Sequence, residues 1–251
     1  MKIIPVPVRS DNYAYLLVDE QTKEAAAIDI YDVPKVTAKA KEENVKITSL
    51  LTTHHHHDHS GGNDAFASQH PGIKIYGGSS RCPSMTDELK DGDSLKVGAN
   101  ITIKCMATPC HTQDSISYYV TDSKTNQKGV FTGDTLFIGG CGRFFEGTGA
   151  EMHKALSYLG TLPDDTLTYP GHEYTMSNFK FGISVEPENE AIKKGIKLAE
   201  ENKITTGLTT IADEKQFNVF MRLDSEAVKN ATGESQPDSI VDKLRTMKNN
   251  S

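Results

Sequence analysis

Thr52-Thr53-His54-His55-His56-His57-Asp58-His59-Ser60-Gly61-Gly62 places five of the chain's nine histidines within six positions. The run is internal, is broken by Asp58, and follows the apolar stretch Ile47–Thr52, which predicts a strand; it does not read as a tag or as scattered surface histidine. Neutral imidazole and carboxylate are ligands that first-row metals such as Zn or Fe take. A His-x-His-x-Asp-His pattern in a turn offers two pairs, His54/His56 and Asp58/His59. Four ligands so close in sequence do not easily close on one ion, and the spacing fits a two-metal site.

Strands are expected upstream. Ile4, Val6 and Val8 alternate with Pro5 and Pro7, a pattern for a sheet edge because proline cannot donate to a ladder. Ser10-Asp11-Asn12 turns into Tyr13–Asp19, apolar on both faces and therefore an interior strand. Ala25–Ile28 forms a third strand ending at Asp29, and Pro34 opens a helix to about Glu43. Downstream strands are expected at Ile73–Tyr76, Ile101–Ala107, Ile116–Val120 and Val130–Thr132. From Glu151 the period turns helical, with Met152, Leu156, Leu159 and Leu162 on one stripe, followed by a short strand at Leu167–Tyr169. After Tyr174 nearly everything is helical, with stripes Ile192, Ile196, Ala199 and Ile240, Leu244, Met247. The expectation is a mixed α/β domain over 1–173 and a smaller helical domain over 174–251, without internal repeats.

With 27 Lys and Arg against 34 Asp and Glu, the 251-residue chain carries a formal charge of −7, which disfavours nucleic acid and anionic membrane as partners. No apolar run approaches the ~18 residues of a membrane span. Lys2 is followed only by the short, proline-broken Ile3–Val8, so no signal-peptide core is expected and the cytoplasm is the expected location. Cys82, Cys105, Cys110 and Cys141 form no CxxC pair, which indicates neither a disulfide scaffold nor a cysteine zinc site.

A two-metal site needs further ligands from other strand ends. His111 in Thr108-Pro109-Cys110-His111-Thr112, Asp134 in Thr132-Gly133-Asp134-Thr135 and His172 in Tyr169-Pro170-Gly171-His172-Glu173 each follow an expected strand and are flanked by Gly or Pro. Singly, each is more often a hydrogen-bonded structural residue; together with the histidine run they form a candidate set.

In this order, His54-x-His56-x-Asp58-His59, His111, Asp134 and His172 resemble the signature of the metallo-β-lactamase superfamily, and Asp29 resembles its first motif aspartate. The resemblance implies an αββα sandwich with a binuclear site at one edge of the sheets, followed here by the helical C-terminal domain. It assigns His54, His56 and His111 to one metal, Asp58, His59 and His172 to the second, and Asp134 to a bridge. Asp29 would orient a ligand without binding metal. Gly139-Gly140-Cys141-Gly142-Arg143-Phe144-Phe145-Glu146-Gly147-Thr148 resembles the substrate loop of the glyoxalase II (hydroxyacylglutathione hydrolase) family. Gly171-His172-Glu173-Tyr174-Thr175, Phe220-Met221-Arg222 and Arg245-x-x-Lys248 extend that resemblance over essentially the whole chain.

The family resemblance implies glutathione contacts from Arg143, Phe145, Tyr174, Arg245 and Lys248. Glutathione carries two carboxylates, which Arg and Lys clamp well. By themselves, Arg245 and Lys248 would read as a solvated helix face. The implied reaction is hydrolysis of an S-(2-hydroxyacyl)glutathione, such as S-D-lactoylglutathione, to the 2-hydroxy acid and glutathione in methylglyoxal detoxification. It uses two divalent ions, Zn first, with Fe or Mn as alternatives, and places Asp58 and Asp134 at the reacting centre of a monomer. The alternative is a glutathione persulfide dioxygenase with one iron, expected to lack the second ligand set and the Arg/Lys clamp. A nuclease would show a broad basic stripe. The chain departs from the family at Phe145, where Tyr is frequent, at Arg143, where Lys is frequent, and at His57, where a bulky residue is usual. His55 is not carried over as a ligand, His70 and His153 are expected at the surface, Cys110 as a buried thiol, and Cys141 as a loop thiol.

Overall fold

Ile4, Val6 and Val8 of β1 (Lys2–Val8) point into a core, and the proline-bearing strand forms the free edge of a six-stranded sheet in the computed structural model, which describes residues 1–251. Proline belongs there because no neighbour asks for its missing N–H. β2 (Asn12–Val18) is buried throughout and pairs antiparallel with β1 and with β3 (Glu24–Ile28). The chain then crosses over through α1 (Val33–Glu42), whose N-terminus is capped by Asp32 and contains Pro34, and returns as β4 (Lys46–Leu51) parallel to β3. Two short helices, α2 (His57–Ser60) and α3 (Asn63–Gln69), lead to the parallel strands β5 (Lys74–Gly77) and β6 (Asp87–Glu88).

Contacts divide the chain into two compact units, and this first one comprises residues 1–107 and 114–133. It also holds an antiparallel run in the order β10-β9-β8-β7: β7 (Ser94–Val97), β8 (Ile101–Ala107), β9 (Ile116–Asp122) and β10 (Lys128–Gly133). One face of the first sheet packs Leu16 and Leu50 with Val36 of α1 and Phe66 of α3. Across the other face, Tyr15 meets Phe131 edge-on at 5.1 Å, and the Tyr118 hydroxyl donates to the Thr52 carbonyl at 2.7 Å. Helices, sheet and second sheet are thus layered, and Asp29 and the histidine run leave the carboxyl ends of the adjacent parallel strands β3 and β4. Strand ends are where an open α/β sheet frees backbone to hold ligands.

The second unit comprises 108–113 and 134–251. It begins with a hairpin, β11 (Leu136–Phe137) and β12 (Gly140–Cys141), and continues with α4 (Gly149–Gly160) and β13 (Leu167–Pro170). Five further helices follow: α5 (Thr175–Val185), α6 (Glu190–Glu201), α7 (Ile211–Phe217), α8 (Glu226–Thr232) and α9 (Pro237–Asn249), with a 3-10 turn at Val219–Met221. α4 starts in a capping box between Thr148 and Glu151, buries its Met152, Leu156, Leu159 stripe and packs against α9. α5 and α6 approach closely because residue 195 is glycine: a Cβ there would stand 2.4 Å from Phe179.

The helical reading beyond Tyr174 agrees with these elements; β1 and β8 fall where alternation places them, and β2 where a run apolar on both faces does. Leu162 lies past the end of α4 yet is buried. The pieces α2, β6, β11 and β12, of two to four residues, went unanticipated because such lengths carry no measurable period. No helix is long and apolar enough to cross a membrane.

Candidate metal centre and substrate cavity

In the first unit one buried carboxylate organises the histidine run. Asp29 ends β3 at φ +54°, a left-handed conformation that costs about 1 kcal/mol for an ordinary residue and is easier for Asp. Its Oδ1 accepts the Thr53 N–H at 2.8 Å, and its Oδ2 accepts the Thr53 hydroxyl at 2.7 Å and His59 Nδ1 at 2.9 Å. Because the Thr53 hydroxyl spends its proton on Asp29, its oxygen accepts from His54 Nδ1 at 3.0 Å. Both imidazoles therefore carry their proton on Nδ1 and turn Nε2 outward as a lone-pair donor. His54 Nε2 stands 3.1 Å from His56 Nδ1, and His59 Nε2 stands 3.6 Å from Asp58 Oδ2, which Asn12 Nδ2 also holds at 2.9 Å.

The second unit converges on Asp134. His111 Nε2 lies 3.4 Å and His172 Nε2 lies 3.3 Å from Asp134 Oδ2. These distances are long for charge-assisted hydrogen bonds, which close to ~2.7–2.9 Å. They match donors sharing an ion: two atoms each ~2.1 Å from a tetrahedral metal stand about 3.4 Å apart. His111 Nδ1 donates to the Arg143 carbonyl at 2.9 Å, which fixes its tautomer, and His172 stacks on Tyr174 at 4.7 Å between centroids. His54, His56, Asp58 and His59 in the first unit, and His111, Asp134 and His172 in the second, are candidate metal donors of His and Asp type whose chemistry fits a divalent ion.

A cavity of about 470 Å³ in the second unit is lined by His111, Asp134, Arg143, Tyr174, Arg245 and Lys248, among others. Arg245 is 8% exposed, so it occupies the inner side of α9 and not the solvated face that composition alone would favour. Its Nη1 donates to the Cys141 carbonyl at 2.9 Å, its plane lies 5.9 Å over Phe220, and its buried Nε has no hydrogen-bond partner. Lys248 Nζ donates to the Ser177 carbonyl and hydroxyl at 2.7 and 2.8 Å. Burial first and the Arg245 charge second push its pKa down to about 8. Arg143, Arg245 and Lys248 face no carboxylate partner in an ion pair. Phe145 is 61% exposed with its ring edge-on to His111 at 5.2 Å.

The remaining histidines do other work. His55 Nδ1 pairs with Asp114 at 2.8 Å, His57 packs against Tyr31, His70 against Phe66, and His153 bonds Asp238 at 2.8 Å. Cys141 is a correction: it lies buried in β12 and is no loop thiol. Burial pushes both its thiol and that of Cys110 up to about 12, so neither is a thiolate near neutrality. Thr53, Asn12 and Ser177 escaped the sequence reading. Thr53 adjoins the run and could have been found as its hydrogen-bonding neighbour; Asn12 and Ser177 sit in no motif.

Residues 34–172 match the family described as Metallo-beta-lactamase superfamily, and residues 173–251 match that described as Hydroxyacylglutathione hydrolase C-terminus. A probable hydroxyacylglutathione hydrolase of Schizosaccharomyces pombe is 45% identical over 256 residues, covering 99% of this chain and 98% of that protein. The cytoplasmic hydroxyacylglutathione hydrolase of Arabidopsis thaliana is 42% identical over 254 residues, covering 99% and 97%. Among solved structures, ETHE1 from Myxococcus xanthus aligns with a TM-score of 0.69 at 27% identity, covering 98% of this chain and 91% of that one. With a metallo-β-lactamase fold, a helical C-terminal part and full-length relatives of this kind, the chain belongs to the hydroxyacylglutathione hydrolase family.

Proposed function

We propose that the chain hydrolyses the thioester of an S-(2-hydroxyacyl)glutathione, such as S-D-lactoylglutathione, releasing the 2-hydroxy acid and glutathione, as a step of methylglyoxal detoxification. The observation that carries the substrate is the trio Arg143, Arg245 and Lys248 around one cavity with no carboxylate partner. Like charges gathered and partly buried are costly until an anion joins them, and glutathione brings two carboxylates. Tyr174 and Phe145 add aromatic surface for the peptide. On this reading, residues 1–173 are the binuclear metal domain and 174–251 the substrate-binding domain.

His54, His56 and His111 would hold one divalent ion, Asp58, His59 and His172 the other, and Asp134 would bridge them. When bound, such a pair supplies Lewis-acid polarisation of the carbonyl and acidifies water. Mixed nitrogen and oxygen donors suit Zn first, and Fe or Mn according to supply. The chain's own part is preparation. Asp29 and the Thr53 hydroxyl keep Nε2 of His59 and His54 unprotonated, and the Arg143 carbonyl does the same for His111. Asp58 accepts a proton from the attacking water. Glutathione leaves as a thiolate, and because a thiol has a pKa of ~8.5, no strong general acid is needed. With its thiols near 12, Cys110 and Cys141 stay outside the chemistry. We further propose a cytoplasmic monomer acting on a small molecule, consistent with a net charge of −7 that repels polyanions.

The test is loss of thioester ultraviolet absorbance from S-D-lactoylglutathione, with metal analysis on the same sample and a chelated control. Chelator-sensitive turnover with about two metals per chain is expected. No hydrolysis by a metal-filled protein would overturn the reading. One iron per chain with oxygen uptake on glutathione persulfide would replace it by the dioxygenase.

A further inference from the structure

Four backbone polar groups between Ile138 and Cys141, just ahead of Arg143, are each held by a side chain from the helices that follow. Asn178 Nδ2 of α5 donates to the Ile138 carbonyl at 3.0 Å. Glu214 Oε2 of α7 accepts the Gly139 N–H at 3.0 Å. Asn218 Nδ2, just past α7, donates to the Gly140 carbonyl at 3.0 Å and to Glu214 Oε2 at the same distance. Arg245 Nη1 of α9 donates to the Cys141 carbonyl at 2.9 Å. Glu214 and Asn218 have no exposed surface, and Asn178 is 4% exposed.

The hairpin alone would not fix this stretch. β11 and β12 pair only through Leu136 with Cys141 and Phe137 with Gly140. The turn between them places Gly139 at φ +69°, where a Cβ would meet Phe179 at 2.9 Å, so the backbone is confined to one path. Glu214 is an expensive way to achieve that for stability alone. Burial pushes its carboxyl up to about 8, and an apolar residue of similar volume would fill the space at less cost. What an apolar residue could not do is accept the Gly139 N–H and align Asn218 on Gly140.

We propose that Glu214, with Asn178 and Asn218, is a positioning residue for the thioester substrate: it sets the Ile138–Cys141 backbone so that Arg143 and Arg245 present their charges to the cavity. This rests on the thioester reading above. Because Arg143 and Arg245 bind the part of the substrate that does not react, their misplacement weakens ground state and transition state alike. KM rises, kcat stays, and the metal ligands are untouched.

Glu214→Leu, Glu214→Gln and, as a stability control, Val228→Ala in buried α8 would be compared with wild type. The readouts are KM and kcat on S-D-lactoylglutathione, metal content, Tm, and calorimetric Kd for S-hexylglutathione, a thioether that cannot be hydrolysed. Glu214→Leu is expected to raise KM and Kd about tenfold with unchanged metal content and kcat, the loss of roughly one well-made polar contact at each of two cations. Glu214→Gln keeps an oxygen for Gly139 and Asn218 and can turn its amide to Thr209, so it restores both constants to within about twofold. Val228→Ala lowers Tm without moving KM. If Glu214→Leu fails to fold, Asn178→Ala, which removes the Ile138 contact, is expected to show the same split. Wild-type KM and Kd in Glu214→Leu or Asn178→Ala, or an equal rise in Val228→Ala, overturns the proposal. Wild type that binds S-hexylglutathione but hydrolyses nothing would sink the reaction instead, and the Kd comparison would still decide the positioning role.

Discussion

The two units hold their ligand-type histidines by different means. In the first, one carboxylate reaches His59 directly and His54 through the Thr53 hydroxyl, and it also pins the Thr53 amide. In the second, His111 leans on a peptide carbonyl and His172 on the face of Tyr174. A carboxylate makes an imidazole more basic than a carbonyl does. On the metal reading proposed above, the first unit is the one built for tenacity. The second ties its histidines to the same segments, Arg143 and Tyr174, that line the cavity, so on the proposed reading substrate binding and ligand orientation share parts there.

The largest break in this comparison is removal of the group on which the second unit converges. Asp134→Ala removes the carboxylate beside which His111 and His172 stand and is expected to take hydrolysis to background together with part of the bound metal. Full activity with two metals would show that Asp134 is dispensable. Asp29→Ala comes next. Losing the orienting carboxylate is expected to cost about 10–100-fold in metal affinity, read by competition with a chelator, with KM little changed. Tyr174→Leu should do the reverse, raising KM more than it loosens metal. If the two variants gave the same pattern, the division of labour between the units would be wrong.

This asymmetry also explains what the sequence could disclose. The first unit's candidate ligands come from one contiguous run, His54 to His59, at the end of an apolar strand, and that spacing is visible without a structure. His111, Asp134 and His172 are scattered and were legible only as polar residues between strand ends and Gly or Pro. β1 and β8 follow from alternation, β2 from a run apolar on both faces, and α4 and α9 from their apolar stripes. Glu214, Asn178 and Asn218 gave no sign, because their partners are peptide groups, and backbone contacts leave no pattern in side-chain type or spacing. The burial of Arg245 was hidden for a related reason: its helix face looks solvated until the Cys141 carbonyl and Phe220 are seen beneath it.

Within the cavity, the two helix cations offer a finer contrast. Arg245→Ala is expected to raise KM about 10–100-fold, the span of a lost charge-assisted hydrogen bond. Arg245→Lys recovers only part, since one ammonium cannot serve both the Cys141 carbonyl and a carboxylate in the same geometry. Lys248 gives a smaller, pH-dependent effect of opposite sign in two measurements. Its folded pKa of about 8 lies below the unfolded Lys value, so as pH rises through 8 the native amine loses its proton first. The unfolded chain then binds more protons, and this group's contribution to stability rises with pH. Its contribution to substrate binding falls over the same window, because a neutral amine does not attract a carboxylate. KM for wild type should therefore climb above pH 8 relative to Lys248→Met, while the stability gap between the two moves in favour of wild type. Substrate affinity and stability drifting in the same direction would contradict this assignment of Lys248.

The smallest expected effect lies at the cavity's exposed rim. Phe145 stands 61% exposed with its ring edge against His111. Phe145→Tyr adds a hydroxyl that water already solvates in the free protein, so only the difference between a protein and a water hydrogen bond can be gained. That difference is about 0.5–1.5 kcal/mol, hence a fall in KM of roughly 2–10-fold with kcat unchanged. Metal content should not move, because the ring's contact with His111 survives the substitution and the histidine's tautomer is set by the Arg143 carbonyl instead. A change in kcat or in metal retention would mean that the rim ring steers His111 itself. Substrate cavity and ligand support would then be joined through the side chain at 145, and not only through the backbone at 143.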